Sequence, residues 1–213
     1  MSKQTKRKQT DNAHTEIKVA VRQEAIANLP DGVRVLDCFC GNNVLWKSVA
    51  PPCPVPGAQA QGFPDVYLGL EKVKGKGSRN IHGDNLRLIP SLDLSRYNVI
   101  DLDAYGIPGA QLIALLRNKT LPDKVVVVYT AITNAVSCGQ KKMIQAAGVP
   151  YEAYRKCPTL WNKKMLDIWY FFLLKIGVEK VFRVVLNDGS YEKHYGYFVL
   201  NKNAINDIIR MLR

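Results

Sequence analysis

The feature that most constrains this chain is a series of four short apolar runs and one shorter, more polar segment at 79–82, each stopping at an acid or a small polar group. Residues 33–37 end at Asp37, residues 65–70 stop at Glu71, and residues 79–82 run into Gly83-Asp84-Asn85. Residues 98–103 close on Asp103 and residues 125–130 on Thr130. Near-continuous runs of this length are the mark of strands buried on both faces of a parallel sheet. Helical spacing falls between them, over residues 14–29, over 44–50, and over 108–118 with Pro108 near the first turn. A long helix is predicted over 159–176, capped by Thr159 and closed by Gly177. Two further runs, 179–186 and 193–200, flank Asn187-Asp188-Gly189-Ser190, a strong hairpin signal, and a last helix is expected over 202–212. This order predicts an α/β fold: a mostly parallel seven-stranded sheet ending in an antiparallel hairpin, with helices on both faces.

The chain has 213 residues, enough for one domain over 14–213 with its own core. Residues 1–13 carry Lys3, Lys6, Arg7 and Lys8 and read as a disordered basic arm. Residues 51–64 hold five prolines and form a loop, and residues 136–158 are an insertion after the fifth strand. No apolar run approaches about 18 residues, so no membrane span is expected. The basic N-terminus has no apolar stretch behind it and is not a secretory signal. The five cysteines (38, 40, 53, 138 and 157) are odd in number and contain no C-x-x-C pair. That disfavours a disulfide framework or zinc site and suits a reducing cytoplasm. Thirty Lys and Arg against 18 Asp and Glu give a net charge of +12, which favours a polyanionic partner.

In sheets of this kind ligands sit outside the carboxyl ends of the strands. The residues there are the ones to weigh. Asp37-x-Phe39-x-Gly41-x-Asn43 follows the first strand, with a glycine that lets the backbone approach a ligand and an asparagine tolerant of the left-handed region. An ordinary strand-to-helix turn has the same composition. Glu71 can accept from a ribose diol or stand as a solvated strand-end acid. Asp84 and Asn85 can read an adenine amino group, or cap a helix. Asp101-Leu102-Asp103-Ala104-Tyr105-Gly106 is the most informative stretch. Asp101 and Asp103 share a face, Asp103 lies nearest the tip, and the Tyr105 ring can stack on a base.

Together these features resemble the class I S-adenosylmethionine-dependent methyltransferases over about residues 33–200. More narrowly, residues 97–108 look like the Asp-Leu-Asp-Pro-Tyr-Gly stretch of the tRNA guanosine-N2 dimethyltransferases. Residues 128–139 are similar to that family's strand-five segment, which runs into a small residue, Cys138 and Gly139. The resemblance implies a Rossmann-like methyltransferase fold, S-adenosylmethionine as cofactor, and methyl transfer to an exocyclic amine of a base, in RNA rather than DNA. It places the cofactor over Asp37, Phe39, Gly41, Asn43, Glu71, Asp84, Asn85 and Asp101, and the acceptor at Asp103 and Tyr105. Three departures stand out: Ala104 in place of the proline, Asn43 in place of a glycine, and a chain too short for that family's second domain. A partner subunit or a second copy would then supply the missing substrate surface.

The basic segment with Lys74, Lys76 and Arg79 is expected to contact phosphates or to be a solvated loop. In the insertion, Lys141, Lys142, Arg155 and Lys156 alternate with Tyr151 and Tyr154, a mixture suited to single-stranded nucleic acid or, alternatively, a lysine-rich surface face. His82 and His194 lack metal-ligand spacing, and His194 reads as strand packing. Pro51-Pro52-Cys53 lies too early for a base-attacking thiolate, and Gly75-Lys76-Gly77-Ser78 fails the phosphate-loop pattern. Two other functions remain: a nucleic-acid-binding module that kept the fold without the chemistry, and a small-molecule methyltransferase.

Overall fold

In the computed structural model, the described residues are 14–27, 29, 32–42, 44–49, 66–72, 80–133, 141–187 and 192–202. The expected arm 1–13, the proline loop 51–64, the hairpin turn 188–191 and the last helix over 203–212 lie outside them, as do Asn43, Lys74, Lys76 and Arg79.

Seven strands form one sheet: β1 (Arg34–Asp37), β2 (Val66–Glu71), β3 (Asn80–His82), β4 (Val99–Leu102), β5 (Lys124–Ile132), β6 (Val181–Asn187) and β7 (Glu192–Asn201). Their order is β3-β2-β1-β4-β5-β7-β6. The first five run parallel, and β7 inserts antiparallel between β5 and β6. This is the mostly parallel sheet with a terminal hairpin expected of a Rossmann-like methyltransferase fold.

Alternation along each strand feeds two cores. On one face Val35, Val99, Val126, Val128 and Tyr195 meet α1 (Thr15–Ile26) and α2 (Val44–Ser48) through Val21, Ala25, Ile26 and Trp46. On the other, Leu36, Ile100, Leu102, Val127, Tyr129 and Phe198 meet α4 (Gly109–Leu116) and α8 (Met165–Lys175) through Leu112, Leu115, Trp169 and Phe172. Burying both faces explains why the central strands read as unbroken apolar runs. A short helix, α3 (Asn85–Leu88), follows β3.

The segment after β5 differs from expectation. Three short helices, α5 (Lys141–Ala146), α6 (Tyr151–Lys156) and α7 (Pro158–Lys163), precede α8. The single helix predicted over 159–176 is therefore two, broken at Lys164, which leaves helical geometry at φ −101°, ψ 10°. Thr159 is not a cap; Pro158 opens α7 instead. Nor is the insertion wholly peripheral, because Met143 and Ile144 of α5 join the core under α8. Gly177, at φ +79°, closes α8 as expected. Among the described residues no helix is long and apolar enough to cross a membrane.

One glycine fixes how closely the last strands pack. A Cβ at Gly196 of β7 would stand 2.3 Å from the Phe182 carbonyl oxygen and 2.8 Å from the Tyr129 hydroxyl. Gly196→Ala should therefore lower stability by about 1–3 kcal/mol, the range for overpacking a filled interior. Urea denaturation checks this, and an unchanged midpoint would mean that the hairpin can move off β5 freely.

Candidate active site

The site is built on two carboxylates that the sheet register sets side by side. Asp37 and Asp101 are paired neighbours at the ends of β1 and β4, and both point to the face covered by α1. Lys18 and Arg22, four residues apart, share the face of α1 that looks back at them. Arg22 Nε donates to Asp101 Oδ2 at 2.8 Å and its Nη2 lies 2.7 Å from the same oxygen. Trp46 Nε1 donates to that oxygen at 2.7 Å, while Asp101 Oδ1 has no hydrogen-bond partner among the described residues. Two residues on, Asp103 takes Lys18 Nζ at 2.9 and 3.1 Å, with Arg22 Nη2 at 3.5 Å.

Burial and charge oppose each other here. Burial pushes Asp37 up to about 8, with the Asp101 charge beside it adding to the shift. Burial also raises Asp101, partly offset by Arg22. Asp103 goes the other way: burial would raise it, but Arg22 and Lys18 together hold it below the usual carboxylate range. Burial alone would lower Arg22, but the acids beside it, Asp101 and Asp103 foremost, raise it. A neutral Asp37 leaves Asp101 and Asp103 to balance Arg22 and Lys18, so the cluster carries no net charge, the condition for burying ion pairs.

The first loop rests on this floor. Asp37 Oδ1 accepts from the Phe39 N–H at 3.0 Å and Oδ2 from the Tyr67 hydroxyl at 2.9 Å. The Cys38 N–H reaches the Asp101 carbonyl at 2.9 Å, and the Asn85 side-chain amide donates to the Cys38 carbonyl at 3.1 Å. Gly41 turns the chain at φ +50°, with open space where a Cβ would stand. Glu71 closes β2, half-buried, and its carbonyl accepts from the Gly83 N–H at 3.1 Å. Phe39, Gly41, Glu71 and Asn85 therefore gather at the tips of β1 to β3.

Other expected site residues are placed differently. Asp101 is 0 % exposed and Asp37 is buried, so both lie under the loop and not on the surface a ligand would touch. Asp84 serves as the N-cap of α3, accepting from the Leu86 N–H at 3.0 Å. Tyr105 is 67 % exposed, whereas the Asp103 side chain is 11 % exposed beneath Lys18. Lys141, Lys142, Arg155 and Lys156 are exposed, on α5 and α6. There Lys141 Nζ lies 5.0 Å over the Tyr151 ring, Tyr151 stacks on Tyr154 at 5.8 Å, and Arg155 pairs with Glu152 at 3.2 Å.

Reading the sequence missed Lys18, Arg22 and Trp46. The available signal was a basic pair at i, i+4 in which Arg22 is flanked by Val21, Ala25 and Ile26 on the apolar stripe.

The raised Asp37 has a signed consequence. From about 4, where an unfolded aspartate ionises, up to about 8, the native state holds a proton that the unfolded chain has released. Rising pH therefore favours unfolding across that window. Asp37→Asn keeps an acceptor for the Phe39 N–H and removes the titration. Its urea midpoint should fall less than the wild type's between pH 5 and 8 (a window of roughly that width); identical slopes would place the proton elsewhere.

No protein-family model matches the chain, and no curated protein matches it. Solved structures are similar at low identity. Trm1 from Pyrococcus horikoshii in complex with S-adenosyl-L-methionine is 11% identical with a TM-score of 0.43, over 91% of this chain and 57% of that one. TYW2 from M. jannaschii in complex with AdoMet is 13% identical with a TM-score of 0.45, over 91% and 78%. The N-methyltransferase NodS from Bradyrhizobium japonicum is 10% identical with a TM-score of 0.48, over 90% and 99%. Likenesses this distant assign a role to no residue.

Proposed function

We propose that the chain is an S-adenosylmethionine-dependent methyltransferase acting on an exocyclic amine of a base in RNA. The observation that carries this reading is the meeting, at one sheet edge, of an open loop at Gly41, the Glu71 carboxylate and the Asp103–Tyr105 segment. The residues fit the cofactor. Gly41 leaves room for a ligand against the backbone, Phe39 offers an apolar wall, and Glu71 offers an acceptor for a ribose diol. S-adenosylmethionine, when bound, supplies a methyl group on a sulfonium sulfur.

The chain's own residues do the rest. Asp37 and Asp101 fix the loop from beneath. Asp103 accepts N–H bonds from the acceptor amine, taking the place that the Lys18 ammonium occupies on the same oxygens. Being held anionic, Asp103 orients the amine and is a poor store for its proton. Exposed Tyr105 stacks on the base. The lysines and tyrosines of α5 and α6 track the strand, consistent with the +12 charge. A partner subunit or second copy completes the RNA surface.

A second reading, a binding module without chemistry, draws on the occupation of Asp103 by Lys18 and on Ala104 and Asn43. Titration calorimetry separates the two. Saturable S-adenosylmethionine binding, weakened about 1–3 kcal/mol in Glu71→Ala, supports the enzyme; no heat at millimolar cofactor, a concentration on the order of a weak enzyme's KM, supports the module. Asp103→Ala should lower methyl transfer by roughly 10²–10⁴-fold at unchanged cofactor affinity, and transfer at the wild-type rate would remove Asp103 from the site.

RNA affinity should fall steeply as salt rises from about 50 to 200 mM. Reversing Lys141 and Lys142 to Glu should flatten that slope. A slope equal to the wild type's would move the RNA path off α5.

A further inference from the structure

Two cations hold the acids of the carboxyl edge, and they are held differently. Arg22 is 2% exposed and its guanidinium meets Asp101 Oδ2, Asp103 Oδ2 and, through Nη1 at 2.9 Å, the Lys18 carbonyl. The Lys18 side chain is 12% exposed, and its ammonium bonds both oxygens of Asp103, at 2.9 and 3.1 Å. That ammonium also stands 5.7 Å from the centre of the Tyr195 ring. Lys18 lies one turn nearer the start of α1 than Arg22. Its neighbours Ile17 and Val19 are half-buried, where Val21, Ala25 and Ile26 further along the helix are buried.

This difference lets the two cations part. The arginine fork is planar and fixed by its partners, whereas a lysine ammonium is a point charge on a flexible stem. The Lys18 backbone is tied to Arg22 through its carbonyl, so the side chain can swing to solvent with α1 left in place. Asp103 then keeps the Thr130 hydroxyl and Arg22 Nη2 at 3.5 Å.

Charge decides when that happens. Asp101 and Asp103 are balanced by Arg22 and Lys18, and Asp37 is neutral. Departure of Lys18 alone leaves one negative charge without a partner at a site nearly closed to water, which is costly. The exocyclic amine of a base brings donors to Asp103 but no charge, and RNA brings charge of the wrong sign. The sulfonium of S-adenosylmethionine is a positive charge.

We infer that Lys18 is a counter-ion gate on the acceptor position: its ammonium occupies Asp103 until a ligand carrying positive charge binds at the same edge, and then leaves the carboxylate to the acceptor amine. The inference rests on the methyl-transfer reading, which supplies that ligand and gives Asp103 its amine. It sets an order of binding, cofactor before acceptor. It also keeps Asp103 covered while no methyl donor is present. Lys18 is a positioning residue, since it acts through Asp103.

Amine footprinting of the full chain tests the gate. With a N-hydroxysuccinimide acetate ester, the lysine nitrogen forms an amide, N-hydroxysuccinimide leaves and buffer takes the proton. Mass spectrometry should find Lys18 labelled more slowly than Lys164, whose side chain is 61% exposed. Saturating S-adenosylmethionine should speed labelling of Lys18 about tenfold or more, the scale of a lost hydrogen bond to a charged group, and leave Lys164 unchanged. S-adenosylhomocysteine, which lacks the sulfonium charge, and a single-stranded RNA oligomer alone should each leave Lys18 slow. Asp103→Asn, checked for folding by thermal denaturation, should free Lys18 without any ligand. Equal acceleration by both nucleosides, or acceleration by RNA alone, overturns the gate. S-adenosylmethionine that binds in calorimetry and leaves Lys18 slow overturns the gate and spares the methyl-transfer reading; no binding overturns both. In active enzyme, Lys18→Arg should lower kcat/KM for RNA about tenfold or more at unchanged cofactor affinity, because the fork holds both Asp103 oxygens. An unchanged kcat/KM means that the pair is only structural and overturns the gate.

Discussion

The ion pair between Arg22 and Asp101 is the contact on which the carboxyl edge depends. Both groups are nearly or wholly buried, so each needs the other, and removing one partner of such a pair costs about 3–5 kcal/mol. Asp101 sits on the central strand β4, and Arg22 on the helix that covers it. The pair thus pins α1 to the middle of the sheet while Trp46 brings α2 to the same oxygen. Two helices thus meet on one carboxylate of β4. The neighbouring Asp37 escapes the same demand by taking a proton, and in doing so it still holds the Phe39 turn and Tyr67.

That neutralised floor divides the work at the edge. Above β1 to β3 lie the backbone of the first loop, Gly41 and half-buried Glu71. At β4 the chain leaves the sheet as Asp103, held anionic, and then as exposed Tyr105. A group held anionic by two cations is suited to orienting donors and unsuited to taking up protons. On the other face of the sheet an imidazole is set between a carboxylate and a phenol.

What could be read from the sequence follows from how local each signal is. The strands were legible because β1, β4 and β5 are buried on both faces and so read as continuous apolar runs. The hairpin was legible because its turn residues are specific to that geometry. The break at Lys164 was not, since Trp161, Met165, Trp169 and Phe172 keep an apolar spacing across it. Period-2 alternation put Asp101 and Asp103 on one face correctly, but alternation gives a direction and no depth. Depth is set by α1, some 80 residues earlier in the chain, through Lys18 and Arg22. The setting of His194 was missed for the same reason: its partner Glu192 is two residues away, but the Tyr170 phenol it meets is on α8, 24 residues off.

The central claim, that the tips of β1 to β3 hold an adenosine cofactor above a neutral buried floor, is tested most directly by amide chemical-shift mapping. S-adenosylhomocysteine would be titrated into the isotope-labelled full chain. Shifts concentrated at Phe39, Gly41, Glu71 and Asn85, with small ones at Arg22 and Asp101 beneath them, are the result the account predicts. No saturable shifts, or shifts centred on α5 and α6 with the loop of β1 unmoved, would contradict it.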